Sequence, residues 1–284
     1  HFRNIGPRAE NVLEAIRIGS SDYTLSDGFT VLEENLFEHC DGDPEYISIK
    51  SSRDTVRSNT FVECLGSLSL RHGNGSVVSR NFIFGNRRTG TFLDSTGKLW
   101  TLGTGGIRLC GDDMVMEDNY LEGLTGSEWD ASFAVTGGDA EYGDGKPLTK
   151  HFRTRNAVFR RNTLVDNASG IEVGYNGGGF QGNWWPMAPT GLTFEDNLVV
   201  GSADTLIKFF NPPVNSVWKG NIVWPTRGAV ASSQPTNGIE VRDPKLVKVH
   251  GLWKPNAAGL ERVGSAIVQT SRPLTSGDVG PEAD

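Results

Sequence analysis

An all-β chain wound as a parallel β-helix of roughly eight coils is what the sequence predicts, and three observations carry the prediction. The first is a recurring pattern: an apolar residue, polar residues, an Asn, a large apolar residue, a turn and then an alternating strand. It reads VLEENLF at Asn35, VRSNTF at Asn59, VSRNFIF at Asn81, VMEDNYL at Asn119, VFRRNTL at Asn162, LTFEDNLV at Asn197 and VWKGNIV at Asn221. Asn35 to Asn59 and Asn197 to Asn221 each span 24 residues and Asn59 to Asn81 spans 22, a short coil apiece. The second is that strand-like alternation outweighs helical periodicity nearly everywhere, with 36 glycines available for turns. The third is the Asn itself, because a buried side-chain amide repeated at one point of every coil can hydrogen-bond to the turns above and below. A β-sandwich is the fallback, disfavoured because hairpin signals such as Asn-Gly between two strands are scarce.

In chain order, His1-Phe2-Arg3-Asn4 reads like the segment just after a ladder Asn, so the chain begins inside a coil and no cap is visible. We therefore expect a solenoid lacking its N-terminal coils and cap, with the open first coil covered by a missing N-terminal segment or by another chain. Each repeat then carries a second strand: AIRIG (15–19), YISIK (46–50), SLSLR (67–71), GIRLC (106–110), SFAV (132–135), GIEV (170–173) and LIKFF (206–210). Turning the apolar positions inward puts Arg17, Ser48, Ser69, Arg108, Ala134, Glu172 and Lys208 on one outward stripe, with Lys50 and Arg71 at its edge. The longer Asn intervals hold Gly-, Asp- and Thr-rich inserts, and RRTGTFLDSTGKLWTLG (87–103) is expected to overhang the groove. The reading is one domain, 1–284, with coils over 5–225 and an irregular segment and tail over 226–284.

Composition bounds the function. At 37% hydrophobic content the 284 residues can bury a sizeable core, and no apolar run approaches the roughly 20 residues that span a bilayer. A net charge of −7 argues against general nucleic-acid affinity, so a local cationic cluster points to a particular anionic ligand. Three cysteines exclude a fully paired framework. Cys40 and Cys64 each follow a ladder Asn by five residues, which reads as a stacked pair of small buried side chains, with a bridge between coils as the alternative.

The stretch DGDPEYISIKSSRDTVRSNTFVECLGSLSLRHG (41–73) gathers two carboxylates, Asp43 and Glu45, and two cations, Lys50 and Arg71, on consecutive coils. Together with NVLEAIRIG (11–19), GGIRLCG and DNYLEGLTG, it resembles polysaccharide lyase family 6, which holds alginate lyases and chondroitinase B. The likeness runs from about residue 11 to the DVGP near the C-terminus. It implies a right-handed parallel β-helix and β-elimination on uronic-acid polysaccharides, alginate foremost and dermatan sulfate as the alternative, by a secreted or periplasmic enzyme. Carried over by motif, Lys50 matches the base that takes the C5 proton and Arg71 the residue assigned as acid. Asn11, Asp43 and Glu45 match the positions that hold Ca²⁺ against the substrate carboxylate, and His72 and Arg108 match substrate-binding positions. Asp43 stands where Glu is usual, and Val12-Leu13 stand where Gly-Gly is usual.

The chemistry suits these residue types. A proton α to a carboxylate is weakly acidic, and a hard, oxygen-ligated cation on that carboxylate stabilises the enolate-like transition state. A lysine acts as base only in its neutral form, which cationic neighbours favour. An arginine holds its proton too firmly to be a ready donor, so Arg71 is weighted as an electrostatic stabiliser of the leaving oxygen. Arg17 and Glu172 on the stripe are further candidate substrate contacts, although a cross-coil ion pair serves Glu172 and Lys208 as well. Tyr175, Trp129, Trp184 and Trp185 are candidate rings for stacking on sugars, against a packing role. The anionic glycan is the expected partner, with neither nucleic acid nor membrane. A glycoside hydrolase would need a carboxylate pair on the stripe, and a non-catalytic glycan-binding solenoid is the third reading.

Overall fold

The computed structural model describes residues 1–9, 13–178, 184–234 and 237–279. Most coils contribute one strand to each of three parallel sheets. The first sheet runs in coil order through Phe2–Ile5, Leu36–Cys40, Thr60–Val62, Phe82–Phe84, Tyr120–Glu122, Thr163–Val165, Leu198–Gly201, Asn221–Pro225 and Ile239–Glu240. The third begins at Val31–Glu33 and Thr55–Arg57 and ends at Val217–Lys219. The second carries the site: Ile16–Gly19, Glu45–Lys50, Gly66–Leu70, Leu99–Leu109, Phe133–Thr136, Ile171–Tyr175, Thr205–Phe209 and Val230–Ser232. This is a parallel β-helix, as the repeat predicts. Its last rungs lie beyond residue 225, at 230–232 and 239–240, because backbone pairing continues after the Asn pattern has stopped.

The Asn ladder is continuous. Each ladder Oδ1 from Asn59 onward accepts the backbone N–H of the preceding Asn at 3.0–3.1 Å, from Asn35 on Asn59 to Asn197 on Asn221. Each side-chain amide from Asn35 to Asn197 also donates to the next Oδ1, and each from Asn59 to Asn221 donates to a carbonyl of the preceding coil. The residue just before each Asn (Glu34, Ser58, Arg80, Asp118, Arg161, Asp196, Gly220) has φ between 51° and 67°. That left-handed corner costs a non-glycine residue about 1 kcal/mol. The ladder bonds offset it, so the corner needs the Asn more than it needs a glycine.

Inside, identical positions stack coil upon coil. Phe2, Phe37 and Phe61 form one stack with centroid separations of 4.7 and 4.8 Å, and Phe159, Phe194 and Trp218 form another at 4.6 and 3.9 Å. Cys40 and Cys64 are free, buried neighbours in the same interior, the Cys40 N–H pointing at the Cys64 sulfur 3.5 Å away. The stacked-pair reading holds over the bridge. After residue 240 the chain packs along the outside of the first sheet, where Leu252, Ile267 and Val268 cover Phe82 and Tyr120. No helix among the described residues is long and apolar enough to cross a membrane.

Candidate active site

Register on the second sheet sets the site. The pairs Arg17 to Ser48, Ser48 to Ser69, Ser69 to Arg108, Arg108 to Ala134, Ala134 to Glu172 and Glu172 to Lys208 all occur as direct cross-strand neighbours. The outward stripe is therefore one continuous row. Lys50 ends its strand, while Arg71 follows the next strand by one residue, its N–H donating to the Ile49 carbonyl at 3.0 Å. Gly73 closes this turn at φ 92°, where a Cβ would sit 2.0 Å from the Ser51 carbonyl oxygen. A side chain there would push Arg71 and His72 off the coil below.

Lys50, Arg71, Asp43, Pro44 and Glu45 line one open cleft of about 360 Å³, with Ser21 and Thr149 on its walls. Among the described residues the Lys50 amine makes no hydrogen bond or ion pair. Arg71 is held on two sides: its Nε lies 3.8 Å from Glu45 Oε1, and its Nη1 lies 2.6 Å from His72 Nε2. Burial pulls the Arg71 guanidinium below its usual range and Arg108 pushes the same way, against Glu45.

Glu45 is the hub. Its Oε1 takes the Arg108 guanidinium and its Oε2 takes the Ser48 hydroxyl. Burial disfavours its charge, but Arg108, Arg71 and Ser48 outweigh that and hold the carboxyl below its ordinary range. Asp43 differs. Its Oδ1 accepts the Glu45 N–H at 2.9 Å, while its buried Oδ2 has no hydrogen-bond partner among the described residues. Burial, then the charges of Glu14 and Glu45, push the Asp43 carboxyl upward.

A cation fits at this point in one specific respect: it would satisfy the Asp43 Oδ2, which makes no hydrogen bond among the described residues, the Leu13 backbone being its neighbour. Glu45 would share it, because each carboxylate oxygen keeps a second lone pair. Asn11 lies outside the described residues, and among the described residues no three His, Cys, Asp or Glu side chains converge as a ligand set.

The remaining predicted contacts are mostly enclosed. Arg108 is 5% exposed; its Nε donates to Ser69 Oγ at 3.1 Å and its guanidinium lies 5.0 Å from the Trp129 ring. Glu172 accepts the Glu128 N–H at 2.8 Å, and the Tyr175 hydroxyl donates to Glu128 Oε2 at 2.9 Å. Arg17 forks onto Glu14. Trp129, Trp185, His151 and Tyr175 pack on one another at 3.8–6.2 Å, and of the four candidate rings only Trp184 is exposed. The outward stripe is thus largely covered. Residues 87–103 contribute no lining to the cleft: they form an antiparallel hairpin, Thr89–Leu93 with the first part of Leu99–Leu109, anchored by Arg88 on Asp41.

The wall is supplied instead by residues the sequence reading did not single out, in the insert between Phe133–Thr136 and Val158–Arg160. There the Tyr142 hydroxyl accepts the Gly73 N–H at 3.2 Å, the Lys150 carbonyl sits 3.0 Å from His72 Nε2, and Thr149 faces the cleft. The signal was the GGDAEYGDGKP composition, which marks a loop without saying which way it folds.

His72 gives a pH prediction. Arg71 can only donate to Nε2 and the Lys150 carbonyl can only accept from it, so the two contacts call for opposite tautomers, while Nδ1 is buried without a partner among the described residues. Burial, reinforced by Arg71, holds the imidazole at about 3, against about 6.5 in an unfolded chain. Between those values the unfolded chain binds the extra proton, so stability is lost as pH falls below about 6.5. The expected loss is about 2 kcal/mol by pH 5, and His151, depressed by burial as well, adds to the same slope. Urea denaturation at pH 7.5 and 5 measures it, and His72→Gln should flatten the difference.

A family model, Chondroitinase B, matches residues 1–237. The chain belongs to polysaccharide lyase family 6. The solved structure of the family 6 alginate lyase AlyGC aligns with a TM-score of 0.82 and 31% identity over 99% of this chain and 36% of that one. This chain therefore spans about a third of AlyGC. A family 6 alginate lyase solved in complex with a trisaccharide shares the fold, with TM-score 0.72 and 24% identity over 93% of this chain and 55% of that one. So does a family 6 polysaccharide lyase from Pseudopedobacter saltans, with TM-score 0.62 and 21% identity over 98% and 62% of the two chains. A search of the curated proteins found no match.

Proposed function

We propose that this family 6 chain is a lyase that cleaves uronic-acid polysaccharides by β-elimination, with alginate as its substrate. The observation that carries the reading is the meeting of Lys50 and Arg71 in one open cleft beside Asp43 and Glu45. Membership of the family and the 31% identity to an alginate lyase support it.

In this mechanism the Lys50 amine removes the C5 proton of a uronate, the C4–C5 double bond forms, and the bond from C4 to the glycosidic oxygen breaks. Arg71, fixed by Glu45 and His72, faces the departing oxygen and stabilises its charge, and water returns the proton. A Ca²⁺ ion held by Asp43 and Glu45, with Asn11, would neutralise the substrate carboxylate when bound. Because the substrate is a polymer, the enzyme acts outside the cytoplasm, secreted or periplasmic.

The test is incubation with polymannuronate, polyguluronate and dermatan sulfate, with and without EDTA, following the ultraviolet absorbance of unsaturated uronate. The reading expects absorbance on an alginate block, lost with EDTA and restored by calcium. Absorbance on dermatan sulfate alone would move the substrate to that alternative, in keeping with the chondroitinase that the family model is named for. Binding without absorbance would leave a glycan-binding solenoid, and activity indifferent to EDTA would remove calcium.

A further inference from the structure

Two arginine–carboxylate pairs bracket Asp43. On one side Arg17 forks onto Glu14, whose side chain is 5% exposed. On the other, Arg108 reaches down the stripe onto Glu45. Asp43, between them, is the member of the group with an unanswered oxygen.

Arg108 is unusually well placed to stay where it is. Ser69, its cross-strand neighbour, takes its Nε; Trp129 covers its face; and Glu45 takes its Nη2. Glu45 is half of the acidic pair proposed to hold Ca²⁺, so the same carboxylate serves two cations. A fixed positive charge on a ligand oxygen repels an incoming divalent ion and occupies a coordination direction of that oxygen. It also keeps Glu45 from being a bare buried charge when no metal is there, a state that is strongly destabilising.

We propose that Arg108 is a built-in counter-cation of the metal site: its guanidinium neutralises Glu45 in the metal-free protein and must yield part of that carboxylate to calcium, setting a weak, readily reversible affinity. This rests on the calcium assignment made above. The coupling is reciprocal, so what calcium does to the Arg108–Glu45 pair, loss of Arg108 does to calcium. Asp130, half-buried, keeps a second carboxyl within electrostatic reach of the Arg108 guanidinium.

The experiment is calcium titration by calorimetry on the metal-stripped whole chain, wild type beside Arg108→Gln and Arg108→Lys, with melting temperatures in EDTA and in calcium. Arg108→Gln should bind calcium about tenfold more tightly, a typical coupling between interacting sites. It should melt lower than wild type in EDTA and recover most of the difference in calcium. Arg108→Lys, which keeps the charge but loses the fork, should fall between and guards against a glutamine variant that does not fold. Calcium binding by wild type with equal or weaker binding by both variants overturns the counter-cation role and leaves the lyase reading intact. Absence of calcium binding by wild type and variants alike overturns the calcium assignment and this inference with it.

Discussion

Lys50→Ala is expected to lower kcat on the preferred alginate block by about three orders of magnitude, the loss typical of removing a general base. The melting temperature should not move, because the Lys50 amine has no internal partner among the described residues. Lys50→Arg sharpens the result. It keeps a cation at the end of strand Glu45–Lys50 but one that does not deprotonate, so it should be as inactive as the alanine variant. If the arginine variant kept a tenth of the activity, charge rather than proton removal would be the contribution of position 50.

The second large effect is on stability. Asn119 lies at the middle of the ladder: its Oδ1 accepts the Asn81 backbone N–H at 3.1 Å and side-chain amide at 3.0 Å, and its own amide donates to Val78 O at 2.9 Å and Asn162 Oδ1 at 3.0 Å. Asn119→Ala removes four buried bonds, takes the acceptor from the buried Asn81 backbone N–H, and keeps a left-handed corner at Asp118 with nothing to offset it. The expected destabilisation is about 4 kcal/mol, at the upper end for a single change. Asn35→Ala, at the exposed end of the ladder, should cost about 1 kcal/mol. Urea denaturation of the two variants measures the contrast; equal losses would mean that the ladder is ornament on a fold held by its aromatic stacks.

The ladder was legible because its determinant is one residue type at one phase of the repeat, and seven asparagines in a row leave little else for it to mean. The stripe from Arg17 to Lys208 was legible for the same reason, since alternation and period together set the register. What alternation does not report is what covers a face once it points outward. Arg108, Glu172 and Tyr175 point away from the coil interior and are still buried, under the 3-10 turn Glu128–Asp130 and the packed rings of Trp129 and Trp185. Outward from a coil is not the same as open to water. The insert over 137–151 could be recognised as a loop from Gly, Asp and Pro, but its path over His72 and Gly73 depends on contacts such as that of Tyr142 with Gly73 and on ion pairs such as Arg153 to Glu141. The first joins residues 69 apart in the chain, and no local pattern encodes it. The hairpin at 87–103 shows the converse: a visible insertion whose direction was set by Arg88 meeting Asp41, away from the cleft.

The Asp43–Glu45 pair joins these threads. Local sequence put two carboxylates on one turn, whereas the structure separates their states: Glu45 is charged and fully engaged, and Asp43 is pushed toward protonation with an oxygen unanswered. That asymmetry is what a cation at this point would relieve.

The central claim is elimination rather than hydrolysis, and product stoichiometry reads it directly. In a digest of the preferred alginate block, new reducing ends and C4–C5 double bonds should appear in equal number at every time point. Reducing ends accumulating without double bonds would contradict the account, because they would mean that water, and not Lys50, begins the cleavage.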